Sequence, residues 1–329
     1  MQHTRLGRTG LRVSRLCLGT MTFGLQCDER TSVAILDAAA KGGVTFLDTA
    51  DVYPLGGGFD TVGRTEEILG RWLQGRRHDF VVATKCNMPM SARPWDRGNS
   101  RKHVLDAIDA SLRRLRTDHV DLYQLHAPDP ETPIDETLRA LEDLVRAGKA
   151  RHVGCSNFLA YQVARALGRS EALGVVRFDS VQPRYNLLFR EAERELLPLC
   201  LEEGVGVIAY NPIAGGLLSG KHAGGAPPAG SRFTLGTAAQ RYVDRYWHED
   251  MFETVGRIRP LAAEAGLDLV TLAVRWVMAN PAVTAPIIGA SRPEQLAPAL
   301  AAAEAPLSAE LKARLDELTA EYRRGDAGR

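Results

Sequence analysis

The stretch "VTFLDTADVYPLGG" (44–57) opens with a short buried strand, "VTFL", that runs straight into Asp48, with Asp51 and Tyr53 just beyond. A loop does not need a carboxylate at the end of an apolar strand. Asp48 is either a turn residue or part of a site that the strand holds rigid, and the pattern of the whole chain decides which.

That pattern is a short apolar, β-branched run followed by a helical one, and it repeats. The strand candidates are "RLCLG" (15–19), "VTFLD" (44–48), "FVVATK" (80–85), "HVDLYQLH" (119–126), "ARHVGCSN" (150–157), "FDSVQPRYN" (178–186), "GVGVIAYNP" (204–212) and "VTAPIIGA" (283–290). Helical spacing lies between them. "SRKHVLDAIDASLRRL" (100–115) puts Val104, Ile108, Leu112 and Leu115 on one face. "IDETLRALEDLVRAGK" (134–149) does so with Ile134, Leu138, Leu141 and Val145, and Gly148 stands where a helix would stop.

Strands apolar along nearly their whole length are parallel strands covered by helices. Eight such units in a chain of 329 residues fit a single (β/α)8 barrel better than an open doubly wound sheet. The expected α/β fold is one domain spanning 1–329, with an N-terminal hairpin (1–14) and a C-terminal helix and tail (306–329). A Gly- and Pro-rich break, "KHAGGAPPAGSRFTLG" (221–236), opens an exposed functional loop over 221–250.

Bulk composition excludes several classes. Lys+Arg 41 against Asp+Glu 40 leaves no basic field for nucleic acid or anionic lipid. The five cysteines are scattered and form no C-x-x-C, which reads as reduced thiols in a cytoplasmic protein. No apolar run reaches membrane-spanning length. Arg5, Arg8, Arg12 and Arg15 precede "LCLGTMTFGL" (16–25), but this makes a poor signal peptide, short and with no A-x-A site.

The strand ends are chemically distinctive: Asp48, Lys85, His126, Ser156–Asn157, Gln182, Tyr210–Asn211 and Gly289 to Ser291. In a barrel these ends gather on one face, where active sites lie. A single strand-end His is usually a satisfied structural group; so many strands ending this way are not explained by packing.

Here the chain resembles the aldo-keto reductase superfamily. "GVTFLDTADVY" (43–53) is similar to its signature G-x-x-x-x-D-T-A-x-x-Y. "VVATK", "DLYQLH", "GCSNF", "VQPRYNLL", "AYNPIAGGLLSGK" and "IIGASRPEQL" resemble the later motifs in order, from about residue 4 to 320. "GGLLSGK" and "GAS" resemble the bacterial and potassium-channel β-subunit branch.

The resemblance implies a catalytic tetrad of Asp48, Tyr53, Lys85 and His126; no metal is expected, because the eight histidines show no H-x-x-x-H or H-E-x-x-H spacing. Reduction of a carbonyl places charge on its oxygen, which a proton must meet. The Lys85 ammonium is expected to lower the pKa of Tyr53, Asp48 to hold Lys85, and His126 to orient the carbonyl. The implied cofactor is NADPH, with NADH as the alternative. Ser156, Asn157 and Gln182 would meet its carboxamide, and Tyr210, followed by Asn211, would stack on the nicotinamide. Gly216, Leu217, Ser219 and Lys221 would meet the pyrophosphate, with Arg232 closing over it. Gly289, Ser291, Arg292 and Gln295 would meet the adenosine 2′-phosphate. Many relatives carry a cation where Ser291 stands, one position before Arg292, and Asn where this chain has Ala299.

Other readings fit less well. "GGLLSGKH" (215–222) lacks the Ser or Thr that a P-loop needs for Mg²⁺, and G-x-G-x-x-G is absent. A cofactor-binding sensor with slow turnover keeps the same tetrad. For a keto-sugar or enoyl reductase, relatives that reduce C=C bonds carry Glu in place of His126. The substrate would be a small carbonyl compound; its identity and the oligomeric state stay open. Phe23, Trp95, Tyr246 and Trp247 in the loops suggest a partly aromatic pocket. Arg93, Arg97 and Arg101 read first as solvated loop charge, with binding of an anionic substrate as the alternative.

Overall fold

A computed structural model describes residues 1–323. Eight parallel strands close into a barrel: β3 (Cys17–Gly19), β4 (Phe46–Asp48), β5 (Val81–Cys86), β6 (Val120–Leu125), β7 (Ala150–Ser156), β8 (Ser180–Gln182), β9 (Gly206–Ala209) and β10 (Val283–Ile288). Each pairs with its neighbour in chain order, and β10 closes on β3 through Ile287↔Cys17 and Ile288↔Leu18. Helices cover the outside: α1 (Glu29–Lys41), α2 (Arg64–Trp72), α3 (Arg101–Leu115), α4 (Ile134–Arg146), α5 (Ala160–Leu173) and α6 (Leu196–Glu203). After β9 come α7 (Ala239–Tyr246), α8 (Glu249–Glu264) and α9 (Leu269–Met278), and after β10 α10 (Ala297–Ala302) and α11 (Ala309–Leu318).

The helices start where the side chains can cap them. Ser100 accepts from His103 N at the head of α3, and Asp28 from Thr31 N at the head of α1. Val104, Ile108, Leu112 and Leu115 are all buried, as their spacing predicts. Helix α4 stops at Arg146, and Gly148 takes the left-handed φ of 74° that ends the turn.

An antiparallel hairpin, β1 (His3–Arg5) with β2 (Arg12–Ser14), closes the N-terminal end. Its Leu6 and Val13 pack against Cys17, Phe46, Ala83, Leu122, Ile208 and Ala285. Ser14 Oγ accepts from Thr45 N and Phe46 N at 3.1 and 3.2 Å, so the hairpin fixes where β4 begins.

Two sequence boundaries need correction. The 221–250 segment is not all loop, because α7 and the start of α8 fall inside it; the i, i+4 pair Tyr242 and Tyr246 is buried. The run 178–186 is extended only at Ser180–Gln182. The expected C-terminal helix is α11 within 306–329, and the tail from 324 onward lies outside the described residues. Among the described residues no helix is long and apolar enough to cross a membrane.

Candidate active site

Asp48 ends β4, and Lys85 is the penultimate residue of β5. The barrel pairs Asp48 with Ala83, so the two side chains meet inside the mouth. Lys85 Nζ donates to Asp48 Oδ1 at 2.5 Å and to Thr49 O at 2.7 Å. Asp48 Oδ2 accepts from Gln182 Nε2 at 2.9 Å and Gln124 Nε2 at 3.2 Å. Lys85 is 0% and Asp48 3% exposed, so this ion pair is dry and its remaining valences are met.

Tyr53 follows in the loop after β4, 8% exposed. Its ring centroid is 5.1 Å from Lys85 Nζ and 5.7 Å from the His126 ring, which meets it at 83°. Burial pushes the Tyr53 hydroxyl up to about 12, while the Lys85 ammonium pulls the other way. The expected net lowering is therefore not present: Lys85 restrains a rise that burial causes. Tyr53 is thus protonated throughout the neutral range. His126 begins just after β6 and is anchored through its N–H to Cys86 O at 2.8 Å. Burial first, then Lys85 and Arg241, lowers it to about 3, so it is a neutral imidazole.

The next strand ends lie beside this group. Ser156 Oγ donates to Gln182 O at 2.9 Å. Asn157, with a left-handed φ of 62°, donates to His126 O at 2.9 Å and accepts from Tyr210 OH at 2.8 Å. Gln182 Nε2 is committed to Asp48. Asn211, φ 58°, has a buried Nδ2 with no partner among the described residues.

The turn Ala214–Ser219 follows β9. Gly216 has φ 107° and open space where a Cβ would stand; Ser219 Oγ donates to Gly216 O at 2.6 Å. Leu217 is buried and Lys221 exposed. The chain then bridges to the loops after β3 and β4. Gln26 Nε2 donates to Gly230 O at 3.2 Å, and Thr237 N to Gly56 O at 3.3 Å. A Cβ on Gly236 would lie 2.3 Å from Gly56 O, so this crossing needs glycine. Arg232 rides on the bridge, its Cζ 5.5 Å from the Tyr242 ring centroid, with a buried Nη1 that has no partner among the described residues.

At the end of β10, Gly289 is exposed and Gln295 Oε1 accepts from Ser291 N and Oγ at 2.8 and 3.1 Å. Arg292 is exposed, without an ion pair among the described residues, and precedes the helical turn Pro293–Leu296.

Sequence reading passed over Gln124, which shares a strand face with His126 by the two-residue period and braces Asp48. It also passed over Glu66 of α2, fully buried behind Lys85. Glu66 accepts from Thr84 Oγ1 at 2.5 Å and Arg114 Nε at 2.7 Å, tying β5 to α2 and α3. Beside it, Asp51 is buried with both oxygens unpartnered among the described residues, and burial pushes its carboxyl well up. Of the expected pocket aromatics, Phe23 and Tyr246 are fully buried while Trp95 is exposed; of the loop arginines, Arg93 pairs with Asp96 and Arg101 with Asp143.

A dry ammonium–carboxylate pair beside a protonated phenol and a neutral imidazole, at the C-terminal mouth of a barrel, is an arrangement chemically able to pass a proton to a polarised oxygen. The chain matches the Aldo/keto reductase family over residues 15–320 and belongs to it; it is an oxidoreductase of that family. It is 40% identical to "Uncharacterized oxidoreductase YrpG" of Bacillus subtilis over 97% of this chain and 96% of that protein. It is 39% identical to "Probable voltage-gated potassium channel subunit beta" of Arabidopsis thaliana over 90% and 89%. It is 32% identical to "Versiconal hemiacetal acetate reductase" of Aspergillus parasiticus over 94% of this chain and 94% of that protein.

Proposed function

We propose that the protein reduces an aldehyde or ketone to an alcohol with NADPH, using Tyr53 as the proton donor. The observation that carries this reading is the Lys85 ammonium, held by Asp48 and 5.1 Å from the Tyr53 ring centroid. When bound, NADPH supplies the hydride that the carbonyl carbon accepts. Tyr53 gives its proton to the carbonyl oxygen, and the ammonium beside it stabilises the phenolate left behind. Neutral His126 orients the carbonyl as an uncharged partner, and Asp48 keeps Lys85 charged and in place.

The cofactor reading rests on the groups that ring the mouth. The unpartnered Asn211 Nδ2 and Arg232 Nη1 are donors waiting for acceptors, and the open side of Gly216 lets a phosphate approach the backbone. Ser156, Asn157 and Gln182 are assigned to the carboxamide and Tyr210 to the nicotinamide face. Leu217, Ser219 and Lys221 are assigned to the pyrophosphate, and Gly289, Ser291, Arg292 and Gln295 to the 2′-phosphate. Residues 1–329 are read as one catalytic unit. Five free, buried cysteines support a reducing, cytoplasmic setting.

A second reading, a cofactor-binding regulatory subunit with slow turnover, is favoured by the likeness to the Arabidopsis protein. A panel of aldehydes and ketones with NADPH and NADH, followed by absorbance of the reduced cofactor, separates the two. Steady turnover preferring NADPH supports the reductase; tight NADPH binding without multiple turnovers supports the regulatory subunit.

A further inference from the structure

Around the same mouth stands a group of cations that the proposed reaction does not use. Arg241 and Arg245 lie one turn apart on α7, on the face next to the one that buries Tyr242 and Tyr246. Arg184, just beyond β8, stacks its Cζ 3.3 Å from the Phe189 ring centroid and 5.8 Å from that of Tyr246. Among the described residues none of the three has an ion pair. The acid on α7, Asp244, is turned to Gln240 Nε2 at 2.6 Å.

Helix α7 stands against the mouth: a Cβ on Gly215 would lie 2.9 Å from Tyr242 Cδ1, and Asn186 Nδ2 donates both to Asn211 O at 2.9 Å and to Tyr246 OH at 3.1 Å. Arg241 is near enough to His126 to oppose its protonation. Arg245, Arg184 and Arg241 all hold down the rise that burial causes at Tyr210. Arg184, itself lowered mainly by burial, is lowered further by Arg245, so these two repel each other without a carboxylate between them. Like charges held together without a counter-ion are costly, and an anion placed among them relieves the repulsion. The loop arginines Arg93 and Arg101 need no such partner, because Asp96 and Asp143 already neutralise them.

Resting on the carbonyl-reductase reading, we infer that the substrate is an anionic carbonyl compound. Its carboxylate or phosphate, at the end away from the reacting carbon, is received by Arg241 and Arg245, with Arg184 behind them. Guanidiniums suit this, since each can meet two anionic oxygens with parallel hydrogen bonds. The group near His126 then presents its carbonyl toward Tyr53.

The test compares 4-carboxybenzaldehyde with methyl 4-formylbenzoate, its uncharged ester, at saturating NADPH. The wild type should favour the acid in kcat/KM by about 10- to 100-fold, the scale of a charged hydrogen-bonded contact. R241Q/R245Q should erase that preference through KM while leaving the ester within about twofold; R241K/R245K should restore most of it. Rising salt should raise KM for the acid alone. Ester turnover with no preference for the acid overturns this inference and leaves the reductase reading intact. Equal losses on both aldehydes with weakened NADPH binding overturn it by giving the arginines to the cofactor. Failure to reduce either aldehyde while other carbonyls of the panel turn over overturns this inference alone; no turnover across the panel removes the reductase reading with it.

Discussion

Lys85 Nζ lies 2.5 Å from Asp48 Oδ1, and their side chains are 0% and 4% exposed. An ion pair this dry is fragile to loss of one partner: truncation leaves the other charge buried and uncompensated. Lys85→Met and Asp48→Asn should each cost about 3–5 kcal/mol of stability, whereas the double variant should cost clearly less than their sum. Urea unfolding of all four proteins measures this. Additive losses would mean that the pair does not act as a unit.

Lys85 also favours the acidity of Tyr53, by restraining the rise that burial causes. Burial has already pushed that hydroxyl to about 12, so removing the ammonium should push it further up. In Lys85→Met, the alkaline limb of the pH profile for alcohol oxidation should move to higher pH. A profile that stays in place would separate Lys85 from the proton transfer.

His126 has its pKa lowered from 6.5 to about 3 in the folded protein. The sign follows from linkage: the unfolded chain binds the proton first as pH falls. The neutral folded form therefore contributes stability above about pH 6.5 that declines toward pH 3. His126→Gln should narrow the stability drop between pH 7.5 and pH 5, and the wild-type rate should show no limb near pH 6 to 7 from this group. Thermal unfolding across that range, with parallel rates, checks both.

Arg292 stands exposed at the head of the turn Pro293–Leu296, while Gln295 is turned onto Ser291. A free guanidinium there suits a 2′-phosphate better than Ser291 does. Arg292→Ala should weaken NADPH binding about tenfold and leave NADH nearly unchanged. Titration of both cofactors by tryptophan fluorescence decides it, and equal effects on the two would rule Arg292 out as the phosphate contact.

Helix-covered parallel strands were legible because the runs from "RLCLG" to "VTAPIIGA" are apolar along nearly their whole length, and the count of eight units favoured a barrel over a doubly wound sheet. The gathering of Asp48, Lys85, Tyr53 and His126 was legible because each stands at or just past a strand end. Local pattern could not reach what depends on partners far away in the chain. Nothing in "VDLYQL" (120–125) says that Gln124 will brace a carboxylate 76 residues earlier. The helix α7 was hidden by the glycines and prolines before it, and with it the placement of Arg241 and Arg245. The acidity of Tyr53 was misjudged for a related reason. Sequence names the neighbouring cation, whereas the burial that outweighs it emerges only when the mouth is assembled.

The central claim is that Tyr53 donates the proton. Tyr53→Phe keeps the ring and its packing against His126 and removes only the hydroxyl. With saturating NADPH and the best aldehyde of the panel, kcat should fall by about 10²- to 10⁴-fold, the range for loss of a general acid, while NADPH binds within about twofold of the wild type. A variant that keeps most of its kcat would contradict the account.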